Sequence, residues 1–280
     1  MALIDTHLHL IHRDKLGYGW TAGIPALAEG DFTFADARAA SGGRITGTIF
    51  MEVGVDEADY QAEGRFIAGM VHDGTLLGQI ASCRPETDAG FDAWLDECDG
   101  LGVVGFRRIL HVVDDGMSVT ETFRANIRKI GRKGRVFDMC FLARQLPLAA
   151  ALARACPDVS FVLDHCGVPD VAGGAFDSWA ASMTDLAEID NIAVKMSGIT
   201  AYCAPGTASA ATVAPYLDHL LSTFGPLRTV WGSDWPVANL GAGMAGWLDI
   251  SEAFLDRLSP DEAAAIRVKN AERIYKVQSR

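Results

Sequence analysis

The sequence predicts an α/β protein, a single-domain (β/α)8 or TIM barrel spanning residues 1–280. Three observations predict it. The chain has 280 residues, a common length for a one-domain barrel. Eight short runs rich in Val, Ile and Phe punctuate it, as strands buried on both faces require. Helix-like stretches separate those runs, and such alternation specifies a parallel sheet covered by helices. An open doubly wound sheet is the alternative. It calls for a glycine-rich phosphate loop after the first strand, and Asp5–Leu10 carries none.

The first strand, Leu3–His7, begins on Leu3-Ile4 and runs into Asp5-Thr6-His7-Leu8-His9. The second, Thr46–Val53, holds Ile49-Phe50-Met51, and the helical stretch Asp56–Asp73 follows. Leu77–Ser82 and Val103–Arg108 are the third and fourth strands, with helix Thr120–Lys133 after them. Arg135–Phe141 is the fifth, followed by helix Leu146–Ala155; Ser160–His165 is the sixth, followed by helix Ala175–Glu188. Asn191–Ser197 and Arg228–Trp235 complete the set, flanking helix Thr212–Phe224. A helical tail over about residues 259–277 closes the chain. Ser259 caps it, Pro260 takes the first helical position, and Glu262 stands three residues after the cap. The helix then continues over Ala263–Tyr275. Two long loops, Asp14–Asp31 and Ala201–Ala211, fall at the C-terminal mouth of the barrel, where such folds build their sites.

Composition narrows the function. Hydrophobic residues make up 49% and charged residues 21%, enough for a sizeable core. A formal charge of −12 argues against a surface that tracks nucleic-acid phosphates. The six cysteines include no Cys-x-x-Cys pair, so they read as buried free thiols in a reducing cytoplasm. No run reads as a signal peptide or a membrane span, so the expectation is a cytoplasmic protein with a small-molecule substrate. A homodimer is compatible with a barrel of this kind.

Polar residues able to do chemistry gather at the predicted strand ends. The first strand ends in His7 and His9, which alternation places on one face with Leu8 on the other. Such a pair holds a metal ion or binds one polarised oxygen. Glu52 ends the second strand, Arg107-Arg108 the fourth with His111 just beyond, Asp164-His165-Cys166-Gly167 the sixth and Gly232-Ser233-Asp234-Trp235-Pro236 the eighth. Each has a plainer reading: His165 as a satisfied core histidine, Asp234 as a helix cap, one of the two arginines as an outer ion pair, Cys166 as packing. Only strand ends of one barrel converge on one pocket, so the set carries more than its members. His12, His72 and His219 read as surface or structural residues.

These segments resemble a known family. Asp5-Thr6-His7-Leu8-His9, Leu163-Asp164-His165-Cys166-Gly167-Val168-Pro169, Lys195-Met196-Ser197-Gly198, and Phe224-Gly225-Pro226 through Gly232-Ser233-Asp234-Trp235-Pro236-Val237 resemble the amidohydrolase superfamily. They look most like its amidohydrolase 2 branch of sugar-acid lactonases, which includes fuconolactone, rhamnonolactone, galactarolactone and pyrone-dicarboxylate hydrolases. The likeness runs on to Asn270-Ala271-Glu272-Arg273-Ile274-Tyr275. It implies a barrel that hydrolyses a cyclic ester, with His7, His9, His165 and Asp234 in the pocket and Arg107 as a substrate contact. Two-metal members carry a bridging lysine or glutamate on the fourth strand and a histidine on the fifth. Val103-Val104-Gly105-Phe106-Arg107-Arg108 and Arg135-Val136-Phe137-Asp138-Met139-Cys140-Phe141 supply neither. That leaves one divalent metal ion, zinc foremost, or none.

The resulting expectation is a lactonase. Asp234 is the general base, with His165 beside it in catalysis. His7, His9 and His165 polarise the carbonyl, as metal ligands with Asp234 and Glu52 or directly as donors. Arg107 holds a hydroxyl or carboxylate of the sugar acid, and Trp20, Tyr202 and Asn239 lie in mouth loops within reach of substrate. A metal-dependent decarboxylase of an aromatic or unsaturated acid is the alternative from the same branch. A barrel that binds a sugar acid without turnover is the non-enzymatic one.

Overall fold

The computed structural model describes residues 2–279. Eight parallel strands stand in sequence order: β1 Ile4–Leu8, β2 Gly47–Met51, β3 Gly78–Ser82, β4 Val103–Ile109, β5 Val136–Cys140, β6 Phe161–Leu163, β7 Ile192–Met196 and β8 Thr229–Trp231. Beyond the last ladder, β1 and β8 meet through a parallel bridge of Leu8 with Trp235. The His9 N–H donates to the Trp235 carbonyl (2.9 Å) and the Asp234 N–H to the His7 carbonyl (2.8 Å). The result is a nearly closed (β/α)8 barrel, as predicted.

The helices are α1 Phe34–Ser41, α2 Tyr60–His72, α3 Phe91–Cys98, α4 Glu121–Arg132, α5 Leu146–Ala155, α6 Phe176–Ala187, α7 Ala210–Phe224, α8 Gly243–Leu255, α9 Pro260–Ala264 and α10 Asn270–Tyr275. The predicted strands six and eight are longer than β6 and β8. The chain leaves the ladder after Leu163 and after Trp231, so His165 and Asp234 stand on loops. The Ser259 cap forms with its reciprocal Glu262 bonds. The tail helix, predicted as continuous, contains a π turn at Ala265–Lys269. Just after it, the Asn270 amide donates to the carbonyls of Pro226 and Thr229, both at 2.7 Å.

Side-chain alternation sorts two cores. Phe50, Phe106, Phe137 and Phe161 pack outward with the helices. Ile49, Met51, Ile80, Val136, Val162, Ala193 and Val230, from six strands, meet inside the barrel. Tyr275 and Val277 join that inner cluster, so the tail plugs the end where the strands begin. Burying such a ring contributes about 2–3 kcal/mol. No helix among the described residues is long and apolar enough to cross a membrane.

Candidate active site

A bulge aims the first histidine. Asp5 pairs with Thr48 and Leu8 with Phe50, so β1 carries one residue more than β2 over that interval. Asp5 Oδ1 accepts from the His7 N–H (3.0 Å) and the Ser233 N–H (2.8 Å). Asp5 and Leu8 then face α1 with Phe34 and Ala37, outside the barrel. His7 turns inward to meet His9 and His165, at ring-centroid distances of 4.9 and 4.4 Å.

Asp234 sits between these rings. Its Oδ1 lies 3.8 Å from His7 Nε2 and 3.4 Å from His9 Nε2, and its Oδ2 lies 3.7 Å from His165 Nδ1. Its backbone is left-handed (φ 58°), a costly state for a non-glycine residue. It is held there by the bond to the His7 carbonyl and by the Ala238 N–H donating to its own carbonyl at 2.8 Å. His165, Cys166 and Val168 are left-handed too. The Trp179 indole N–H anchors their loop at the Cys166 carbonyl (2.8 Å). Opposite, Gly198 has φ 65°, and a Cβ there would stand 2.6 Å from His165 Nδ1 and 2.7 Å from Asp234 Oδ2. The pocket therefore needs glycine at that position.

Beneath the histidines lies a buried charge network. Lys195 Nζ reaches Asp138 Oδ1 (2.6 Å), Asp164 Oδ1 (3.0 Å) and His7 Nδ1 (3.2 Å). The Tyr275 hydroxyl donates to Asp138 Oδ1 at 2.9 Å. Burial opposes ionisation of Asp164, but Lys195 and His7 hold its carboxyl well below the usual range. Burial, reinforced by Lys195, keeps His7 far below the ordinary imidazole value; burial also lowers His165. Both rings are neutral at neutral pH.

Hydrogen bonding fixes the proton on His9 Nδ1. His9 Nδ1 lies 3.0 Å from the Met51 carbonyl, which only accepts, so Nδ1 carries the proton. The His9 Nε2 lone pair then faces Asp234 Oδ1. His7 has a donor-only cation at each ring nitrogen, Lys195 Nζ 3.2 Å from Nδ1 and Arg107 Nη1 3.3 Å from Nε2, with the ionised Asp164 3.3 Å from Nδ1; its Nε2 faces the same Asp234 oxygen at 3.8 Å. Two imidazole nitrogens and a carboxylate oxygen converging on one point are the donor set of a cation site. The ligand atoms of His7, His9 and Asp234 lie within 4.8 Å of one another. Around them Arg107 and Lys195 are outnumbered by Glu52, Asp138, Asp164 and Asp234, all buried. The donor set and the charge both fit a divalent ion.

Glu52 is placed differently from a ligand. Its Oε1 accepts from Arg107 Nε (2.6 Å), its carbonyl from Arg107 Nη2 (2.5 Å) and its Oε2 from the Gly54 N–H (2.9 Å). Both carboxylate oxygens are engaged, and the residue belongs to none of the metal-capable groups among the described residues. Arg107 is only 3% exposed, and just its Nη1 reaches toward His7 and Asp164. Arg108 turns away to Glu86 at 2.7 Å. The Tyr202 ring stands edge-on to His165 at 6.4 Å. Trp20 is 40% exposed, with its indole nitrogen beside Gly54. Asn239 is exposed on the turn Val237–Leu240, with no bond to the histidine cluster among the described residues.

Asp164 stood in a recognised segment, but its role beside His7 was not assigned. Lys195, Ser197 and Tyr275 likewise stand in segments that carry the resemblance, and Asp138 in the fifth strand, without a role read for them from the sequence. The available signal was a lysine and an aspartate inside otherwise apolar strands, Ile192-Ala193-Val194-Lys195-Met196 and Val136-Phe137-Asp138-Met139.

Fold and site together define a hydrolase barrel built around histidines and an aspartate. The chain belongs to the amidohydrolase family Amidohydro_2, whose model matches residues 4–277. It is similar to an L-fucono-1,5-lactonase of Burkholderia multivorans, 27% identical over 97% of this chain and 95% of that one. It is also similar to an L-fucono-1,5-lactonase of Burkholderia ambifaria, 36% identical over a stretch spanning about half of each chain (50% and 50%). A solved structure of a Burkholderia multivorans amidohydrolase with bound zinc has the same fold, with a TM-score of 0.89. It is 24% identical, over 99% of this chain and 100% of that one.

Proposed function

We propose that this protein is a lactonase that opens the cyclic ester of a sugar-acid lactone. The observation that carries the reading is the division of labour at Asp234. Its Oδ1 faces Nε2 of His7 and of His9, while its Oδ2 faces His165 and the pocket wall at Gly198. The likeness to two L-fucono-1,5-lactonases supports the substrate class.

His7, His9 and Asp234 would hold one divalent cation, and two imidazole nitrogens with a carboxylate oxygen suit zinc. Bound there, it supplies Lewis acidity toward the carbonyl and acidifies water. The chain's residues do the rest. Asp234 Oδ2 takes a proton from the attacking water as the new C–O bond forms. The ester C–O bond of the ring then breaks, and the same carboxyl returns the proton to the departing ring oxygen. His165, neutral and 3.1 Å from the Ser197 hydroxyl, is positioned beside that transfer. The hydroxy acid produced loses its own proton to solvent, so each turnover releases one.

A pH-indicator assay on a panel of aldono- and aldarolactones tests this, on the protein as purified, after chelation and with Asp234→Asn. Turnover that is lost in Asp234→Asn and on chelation, and restored by zinc, is the expected result. No proton release from any lactone, with carbon dioxide released from an aromatic acid, overturns it in favour of a decarboxylase.

A further inference from the structure

A second pair of reactive side chains stands at the mouth of the barrel. Ile109 of β4 pairs with Cys140 of β5, and His111 follows in the turn Leu110–Val112. Cys140 Sγ lies 3.2 Å from His111 Nδ1. Cys140 is buried and His111 half-buried. Among the described residues the thiol has no other hydrogen-bond partner, and His111 Nε2 has none.

A cysteine beside a histidine suggests a nucleophile, but the surroundings say otherwise. A thiolate–imidazolium pair needs a site that stabilises both charges. Burial pushes the Cys140 thiol well above its ordinary value despite Arg107. Burial and the Arg107 charge press His111 down to about 4, with His165 adding to them and Asp164 and Glu52 opposing. The pair is therefore neutral, with the S–H donating to Nδ1. That bond uses the one lone pair of the ring, so Nε2 must carry the proton.

We propose that His111 is a substrate-binding residue, that Cys140 is the positioning residue that locks it as a fixed Nε2–H donor, and that the donor reads an acceptor oxygen on the ring substituents of the lactone. His111 follows the C-terminal end of β4, four residues beyond Arg107 on that strand, and its Cys140 partner ends β5 next to it, at the same end of the barrel as the histidine cluster. A donor that cannot accept distinguishes a ring bearing an oxygen at that position from one without it, because in the second case the N–H is desolvated and left unpaired. The substrate part rests on the lactonase reading; the tautomer lock does not.

Two measurements separate them. Proton–nitrogen correlation spectra of the holoenzyme labelled in histidine, assigned with His111→Gln, read the tautomer directly. The neutral Nε2–H form is expected, turning to a tautomer mixture in Cys140→Ala. An imidazolium, or Nδ1–H in the unmodified protein, overturns the lock. Kinetics then compare a polyhydroxylated δ-lactone with unsubstituted δ-valerolactone. His111→Phe should reduce the preference for the hydroxylated ring about tenfold, mainly through KM, with His111→Gln restoring most of it through its amide N–H. An unchanged preference overturns the substrate role. Absence of turnover on every lactone removes the lactonase reading and the substrate role with it, while the spectra still decide the lock.

Discussion

Lys195 Nζ lies 2.6 Å from Asp138 Oδ1, and neither side chain has any exposure to solvent. The pair links the chain's tail to the histidine rings. Tyr275 donates to Asp138, Asp138 holds Lys195, and Lys195 and Asp164 together flank His7 Nδ1. A charge buried this completely is tolerable only when paired, and Lys195 reaches both Asp138 and Asp164.

Lys195→Met should therefore leave Asp138 with no cation and Asp164 with only Arg107 Nη1 at 3.4 Å, two under-compensated buried carboxylates. The expected loss is about 3–5 kcal/mol, measured by urea unfolding. Adding Asp138→Asn should recover part of it, since one of the two under-compensated groups is then neutral. A double variant no more stable than the single one would show that the pair is not what Lys195 stabilises.

Tyr275→Phe keeps the ring that plugs the barrel and removes only the hydroxyl. Asp138 then loses one donor, at a cost of about 1.5–3 kcal/mol for a bond to a charged acceptor. The unfolding midpoint should fall while the denaturant slope stays constant, because the surface exposed on unfolding is unchanged.

Gly198→Ala puts a methyl between His165 Nδ1 and Asp234 Oδ2, on a backbone with φ 65°. Strain costs about 1 kcal/mol or somewhat more. Under the proposed mechanism the larger effect is on turnover, because Asp234 and His165 are pushed apart. A drop in kcat of about 100-fold, with circular dichroism unchanged, is the expected outcome on whichever lactone is turned over.

Glu63 gives stability a pH dependence. It is 1% exposed, and its Oε1 accepts from the Val53 N–H at 3.0 Å. Burial, then the charge of Glu52, raises its carboxyl well above 4.5. The unfolded chain gives up this proton near 4.5 while the folded chain keeps it. Folding thus binds more protons above that pH, and stability declines as pH rises toward the folded value. Glu63→Gln has no proton to retain. Its stability relative to the parent should rise by up to about 1.4 kcal/mol per pH unit across that window, measured by urea unfolding at several pH values. A constant difference would mean Glu63 is ionised in the folded protein.

The barrel was legible because eight buried strands leave eight apolar runs, and the pocket because histidines and Asp234 recur at strand ends. Other features were hidden for physical reasons. Alternation counted from Asp5 puts Asp5 and His7 on one face, whereas the bulge sends them to opposite faces. Glu52 reads as a possible ligand until Arg107, 55 residues away, is seen to occupy it. Helices α1 and α3 have only eight residues each, too few for a firm period. Lys195 looks like an interruption of its strand because its partners come from β5, β6 and the tail.

The bulge at Asp5 has a consequence for the order of assembly. Its one oxygen joins the His7 and Ser233 backbones, 226 residues apart, so the site straddles the seam between the first strand and the last. Asp234 arrives with β8, and His7 and His9 with β1. A folding intermediate of seven docked strands would have most of the hydrophobic core and no chemistry at all. Closing so distant a contact carries a loop-closure cost that local contacts do not, and catalytic competence would report the final ring closure.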